Sequence, residues 1–317
     1  SQEPSKPAAS GSKLAVAVKL LRPRQWTKNL IAVAPILFSA KLQEIPLLIN
    51  VVITVVALCC VSSSVYIIND IMDRESDRVH PTKCKRPIAS GRVPLKMAVF
   101  IAFVLASSAV SLGFVVRPML ALIIVSYLVL MLFYTTKFKH IVLLDVFTIA
   151  TGFVLRAAGG AAAAYVPVSG WFLLCTSFGS LFLALEKRRQ ELKLLKGEAE
   201  THRKTLTIYT QEMVDRMESV VVPSLLTCYT FYGFQSSHGQ NMLLTVPFVV
   251  YGIMRYQVLS VKSDITGTPE EVLLKDRHIQ LAILGWLVTS AAVVYNLIPT
   301  ISTFVIPYID SIGQQAK

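Results

Sequence analysis

Acidic residues are scarce in this sequence, with Asp and Glu at 19 of 317 positions and charged residues of either sign at only 16%. A soluble domain covers itself with charge. This chain has 54% hydrophobic residues and a mean hydropathy of +0.58, which excludes an ordinary soluble fold and points to a helical membrane protein. The five cysteines (Cys59, Cys60, Cys84, Cys175, Cys228) show no CxxC spacing, so neither a zinc site nor a disulfide framework is expected. The five histidines form neither HxxxH nor HExxH, which leaves no histidine metal centre. A soluble basic domain is missing too, so the net charge of +12 gives no ground for nucleic-acid binding. The inverted repeats and paired broken helices that mark a transporter are also absent from the sequence.

Long apolar runs fill the rest. Nine stretches reach or approach the roughly 20 helical residues that cross a bilayer, near 29–40, 45–68, 94–113, 117–135, 141–163, 168–185, 219–236, 242–259 and 279–298. The first is short and interrupted by Pro35, and an apolar tail at 299–309 suits a surface helix. The fold expected is all-α: a polytopic membrane bundle of about nine transmembrane helices. It forms one domain over 15–317, behind a disordered tail at 1–14. With the N-terminus inside, the loops at 69–93, 136–140, 186–218 and 255–278 are cytoplasmic. Of the 31 Lys and Arg, all but Lys41, Arg117, Arg156 and Lys317 then lie in or beside the cytoplasmic regions, as the positive-inside rule requires. A multi-pass protein of the cell (inner or plasma) membrane follows, its basic side facing anionic lipid. Apolar helix faces serve membrane lipids and a second copy of the chain equally well, so a homo-oligomer is compatible with the pattern.

The few acids that exist are concentrated. Asn69, Asp70, Asp73 and Asp77 sit at the mouth of the 45–68 run. If its helix continues, the aspartates fall at i, i+3 and i+7 on one face, with Asn69 beside Asp73. Such a cluster repels itself unless a cation joins it, and hard oxygen ligands favour Mg2+ shared with a substrate phosphate. Lys83, Lys85 and Arg86 follow in a loop held by prolines and a glycine. Fixed cations beside a metal cluster suit a diphosphate, although the same residues also serve as a positive-inside flank. Lys28 either anchors the first span at the headgroups or turns inward to a phosphate. Tyr66, one turn before Asn69, is expected to line the cavity wall. Arg156, deep in an apolar run, marks a polar cavity or satisfies backbone carbonyls. Asp145, three turns away on the same face, is expected to face the same cavity.

NDIMDRESD (69–77) followed by RPIASG (86–91) resembles the UbiA superfamily of membrane prenyltransferases. The resemblance extends through RPRQWTKN (22–29), VYIIND (65–70), KFKH (137–140), GFVLRAAGG (152–160), SGWFLLCTSFGSLF (169–182), EKRRQEL (186–192) and PEEVLLKDR (269–277). It implies a nine-helix bundle with a lipid-open cavity capped by cytoplasmic loops. Within the superfamily the chain looks most like members that move a 5-phosphoribosyl group from phosphoribosyl pyrophosphate to a polyprenyl phosphate in making cell-wall precursors. A second DxxxD motif, general in the superfamily, is replaced here by Glu186-Lys187-Arg188-Arg189-Gln190-Glu191. A second anion patch, rather than a second metal pair, is therefore expected. On this resemblance Asn69, Asp70, Asp73 and Asp77 hold magnesium, the aspartates being catalytic. Lys28, Tyr66, Lys83 and Arg86 serve the diphosphate, while Lys137, Lys139, Arg156 and Lys187 serve the 5-phosphate and the lipid phosphate. The alternative is a conventional prenyltransferase with an aromatic acceptor, which shares the first motif.

Overall fold

The computed structural model describes residues 13–194, 208–236, 239–262, 272 and 275–298. Residues 1–12 of the expected tail, the apolar segment 299–309 and most of PEEVLLKDR lie outside them. Helix α1 (Lys13–Leu21) is followed by a 3-10 segment, Pro23–Val33, and by α2 (Ala34–Phe38). Then come α3 (Ile45–Met72), α4 (Arg74–Val79), α5 (Leu95–Val116), α6 (Pro118–Thr136), α7 (Leu144–Ala163), α8 (Gly170–Leu194), α9 (Gln211–Gln235), α10 (Val246–Lys262) and α11 (Arg277–Val294). No strand occurs among the described residues. This is the all-α architecture expected of the composition, since in hydrocarbon every backbone N–H and C=O must be satisfied within its own segment.

Among the described residues six stretches are long and apolar enough to cross a membrane: Ile45–Met72, Leu95–Val116, Pro118–Thr136, Leu144–Ala163, Gln240–Val261 and Arg277–Val294. The other three expected runs are helical but different. The run at 29–40 folds as the end of the 3-10 segment plus the short α2, broken where Pro35 enters the helix. Helices α8 and α9 carry charged turns, Glu186 to Lys193 in one and Glu212 to Glu218 in the other. Their apolar parts are therefore too short to meet the same standard. Local chemistry sets many of the boundaries. Pro118 opens α6, where its missing N–H has no helical partner to lose. Asp276 caps α11 by accepting from the Ile279 N–H at 2.9 Å, and Thr210 caps α9 through the Met213 N–H at 3.1 Å.

The chain divides into two compact units, Ser1–Leu30 with Val52–Thr136, and Ile31–Val51 with Lys137–Lys317. In the first, Leu20, Ile67, Ile88, Val93, Ala98 and Ala102 form the core. Phe100, Phe103, Phe114 and Val115 point outward and are largely bare, as suits a face that meets lipid or another helix rather than water. In the second unit α7, α8, α9 and α10 pack around Leu181, Phe182, Leu185, Val214 and Tyr256. Here a glycine decides how closely the chain approaches. A Cβ on Gly160 of α7 would sit 1.9 Å from the carbonyl oxygen of Ala32, against backbone that has no freedom to move aside.

Replacing Gly160 by Ala should therefore unfold or severely destabilise the purified protein, as overpacking against backbone costs more than about 3 kcal/mol. Gly252→Ala, whose Cβ meets nothing within 4 Å, should raise stability by about 0.5–1 kcal/mol through helix propensity. Thermal unfolding in detergent micelles separates the two; equal effects would contradict the packing described.

Candidate functional site

In the first unit α3 does not continue through the acidic motif. It ends at Met72, Asp73 takes a non-helical bend (φ −88°, ψ 5°), and α4 restarts at Arg74. The bend keeps the i→i−4 bonds on either side of it, Asp73 N–H to the Asn69 carbonyl at 2.9 Å and Asp77 N–H to the Asp73 carbonyl at 2.8 Å, and the side chains form two pairs. Asp70 and Asp77, 2% and 3% exposed, converge on one guanidinium. Arg86 Nη1 donates to Asp70 Oδ1 at 2.9 Å and to Asp77 Oδ2 at 2.6 Å. Arg22 Nη2 donates to the same Asp70 oxygen at 2.5 Å. Asp73 pairs instead with Asn69, whose Nδ2 donates to its Oδ2 at 3.0 Å. The charges are thus matched locally, two buried carboxylates against two guanidiniums.

The two arginines are held by the backbone around them. Pro87 follows Arg86 and keeps it extended (φ −64°, ψ 145°), while the Arg86 N–H returns to the Lys83 carbonyl at 2.9 Å. Lys83 is half-buried in the turn that precedes it. Arg22 occupies the left-handed region (φ 54°) at the end of α1, just before Pro23, a conformation that L-residues adopt under tertiary constraint. From there its guanidinium also lies over the Tyr66 ring, 5.2 Å from the centroid. The Tyr66 hydroxyl donates to Gln25 Oε1 at 3.4 Å. Trp26 and Asn29 tie the same segment to α3 through Ser63 at 3.0 Å, and through Cys59 and Ser62 at 3.3 Å. Lys28, between them, is half-buried.

The second unit holds the remaining expected cations. Lys137 is exposed and Lys139 buried, on the 3-10 turn Phe138–His140 before α7. Arg156 is 5% exposed and lies over Phe153 of its own helix, 5.1 Å from the ring centroid. Lys187 is exposed on α8. Asp145 does not turn to a cavity shared with Arg156. It is fully buried, its Oδ2 accepting from Arg188 Nε at 3.0 Å and its Oδ1 from the Tyr209 hydroxyl at 2.9 Å. Burial pushes the Tyr209 hydroxyl up to about 12, so it remains a neutral donor at working pH.

Arg188 and Arg189, expected to face an anion, are also committed inward. Arg188 bonds Glu191 as well as Asp145. Arg189 is gripped by Asp215, by Glu218 at 2.9 Å and by Glu186 at 3.4 Å. Arg189 borders a cavity of about 440 Å³ that is also lined by Glu186, Asp215, Glu218 and Gln257, with Val222, Pro223 and Val261 as its apolar wall.

Asn69, Asp70, Asp73 and Asp77 supply the hard oxygens that Mg2+ takes, and all lie on one short stretch of chain. The donor set fits the ion. Among the described residues no three His, Cys, Asp or Glu side chains converge on one point, and Arg86 bonds both Asp70 and Asp77. Asp70 and Asp77 are therefore already neutralised by protein, and the Asn69–Asp73 pair is the portion of the cluster that neither Arg22 nor Arg86 bonds. The sequence does not single out Arg22 or Tyr209, and it sets Asp145 with Arg156 and Arg188 toward an anion, where the structure pairs Asp145 with Arg188. A count of charges would have pointed to the arginines, since each buried Asp in an apolar helix needs a cation.

Residues 29–270 match the UbiA prenyltransferase family. The decaprenyl-phosphate phosphoribosyltransferase of Mycolicibacterium smegmatis is 34% identical over 311 residues, covering 92% of this chain and 97% of that protein. The protein of the same name from Corynebacterium glutamicum is 35% identical over 304 residues, 93% of this chain and 90% of its own. The structure of a UbiA homolog from Archaeoglobus fulgidus bound to GPP and Mg2+ superposes with a TM-score of 0.66 at 14% identity. It covers 88% of this chain and 99% of that one, a likeness of fold.

Arg86→Ala should lower stability by about 3 kcal/mol, the low end for breaking a buried pair, because Asp77 loses its guanidinium. Arg22→Ala should cost less, since Asp70 keeps Arg86. Adding Asp77→Asn to Arg86→Ala should recover part of the loss. Unfolding of the three variants in micelles checks the order, and an Arg22→Ala loss exceeding that of Arg86→Ala would contradict the shared-guanidinium geometry.

Proposed function

The chain belongs to the UbiA prenyltransferase family, and we propose that it transfers a 5-phosphoribosyl group from phosphoribosyl pyrophosphate to a polyprenyl phosphate, releasing pyrophosphate. Similarity over nearly the full length of phosphoribosyltransferases, with a cation-rich stretch where a second acidic motif would stand, supports this reading over transfer to an aromatic acceptor. A phosphate acceptor would employ the cations Lys137, Lys139 and Lys187.

The acceptor phosphate is ionised at neutral pH and needs no general base. One of its oxygens forms the new bond to the anomeric carbon as the bond to pyrophosphate breaks, and the electron pair departs with pyrophosphate. The barrier lies in the charge that gathers on the leaving group. Asn69 and Asp73, with Asp70 and Asp77, would hold Mg2+, which when bound neutralises part of that charge. Arg86 and Lys83 bind the remaining pyrophosphate oxygens, with Lys28 and Tyr66 beside them. Lys137, Lys139, Arg156 and Lys187 hold the 5-phosphate and the lipid phosphate. Fixing two anions that repel each other is the orientation the protein must supply. Arg86 suits its part because its forked donors can turn from one carboxylate to a phosphate oxygen without breaking both pairs. The charged loops face the cytoplasm of the cell membrane, where a soluble sugar diphosphate can reach them.

Purified protein given radiolabelled phosphoribosyl pyrophosphate, polyprenyl phosphate and Mg2+ should pass label into the organic phase. Asp73→Ala should lower the rate by roughly a hundredfold or more, and a chelator should abolish it. Lipid left unlabelled, alongside turnover of an allylic diphosphate with an aromatic acceptor, would overturn the proposal and leave the family.

A further inference from the structure

The turn that carries Lys137 and Lys139 ends at a strained residue. Leu143 sits at φ 70°, ψ −45°, the region of the rare γ-turn, which is costly for any residue with a Cβ. Its side chain is 43% exposed, so packing of that side chain does little to hold the backbone there. Hydrogen bonds do. The Leu143 N–H donates to the Tyr209 hydroxyl at 3.1 Å, and that hydroxyl donates to Asp145 Oδ1 at 2.9 Å. Arg188 Nε takes the second Asp145 oxygen at 3.0 Å. The Leu143 carbonyl meanwhile accepts from Val146 at 3.1 Å and Phe147 at 2.9 Å, opening α7.

One buried carboxylate is thereby tied to two basic segments. Through Tyr209 it fixes the bend that ends residues 137–143. Through Arg188 it fixes the α8 turn that presents Lys187. Tyr209 comes from the segment before α9, 66 residues along the chain from Leu143. Its ring belongs to the hydrophobic core of this unit, so the hydroxyl has a fixed origin from which to hold the turn.

We propose that Tyr209 and Asp145 are positioning residues. They hold Leu143 in its strained bend so that Lys137 and Lys139, together with Lys187, stand at a set spacing for a substrate phosphate. The assignment rests on the phosphoribosyl-transfer reading for the identity of that phosphate, but not for the mechanics of the bend. Tyr209→Phe keeps the ring in the core and removes only the hydroxyl. Leu143 loses its partner and the bend relaxes. Glycine enters positive φ at no steric cost, so Leu143→Gly removes the strain that the hydroxyl opposes.

The test is steady-state kinetics of wild type, Tyr209→Phe, Leu143→Gly and the double variant, with limited trypsin cleavage after Lys137 as a readout independent of activity. Tyr209→Phe should raise KM for one of the two phosphate substrates by roughly tenfold, about the effect of losing one hydrogen bond. Its kcat should change little, and cleavage after Lys137 should quicken. Leu143→Gly alone should stay near wild type, and the double variant should recover most of the lost KM. A Tyr209→Phe enzyme with unaltered KM values, or a loss of kcat that Leu143→Gly does not rescue, would overturn the assignment. Should the wild type itself transfer no phosphoribosyl group, the function proposed above fails; trypsin then decides alone, and unaltered cleavage in Tyr209→Phe would overturn the bend as well.

Discussion

The bond from Arg86 to Asp70 and Asp77 is the interaction on which the first unit depends. Asp70 ends a helix that is apolar for most of its length, at a depth where an isolated carboxylate would be far too costly to keep charged. A single planar guanidinium reaching both carboxylates, with Arg22 on the first, makes the cluster tolerable. The geometry around it follows from that need. The chain bends at Asp73, between the two buried aspartates that share Arg86. Arg22 accepts a left-handed backbone to approach Asp70, and the 80–93 loop is braced so that Arg86 cannot drift. Charge held in this way is preorganised.

The second unit applies the same rule at a different place. Asp145 is matched by Arg188 and Tyr209, and Arg189 by Asp215, Glu218 and Glu186. Both arginines of the basic stretch on α8 are therefore structural in part, and the adjacent Lys187 is exposed. Patches of positive charge in a membrane protein are thus not uniform.

The first acidic motif could be read from the sequence because its chemistry is local. NDIMDRESD and RPIASG place acids and bases within one loop of each other, and the structure joins them there. The break at Asp73 was not legible, since no Pro or Gly marks it and helical periodicity alone carries the face straight through. Arg22 is 48 residues from Asp70, and Arg188 43 from Asp145. Pairings at that distance follow from packing, which no spacing rule encodes. The apolar runs gave the helices correctly, and among the described residues six of them are long and apolar enough throughout to span. In α8 and α9 the charged turns belong to the same helices as the apolar ones, and the first run is broken by Pro35.

The most direct measurement is a structure of the purified protein determined with Mg2+ and phosphoribosyl pyrophosphate bound. The account predicts donor density against residues 69–86, an ion taking oxygens from Asn69 and Asp73, and the Arg86 guanidinium turned from one of its carboxylates to the diphosphate. Donor density seated away from that segment, with Arg86 still bridging Asp70 and Asp77, would contradict it.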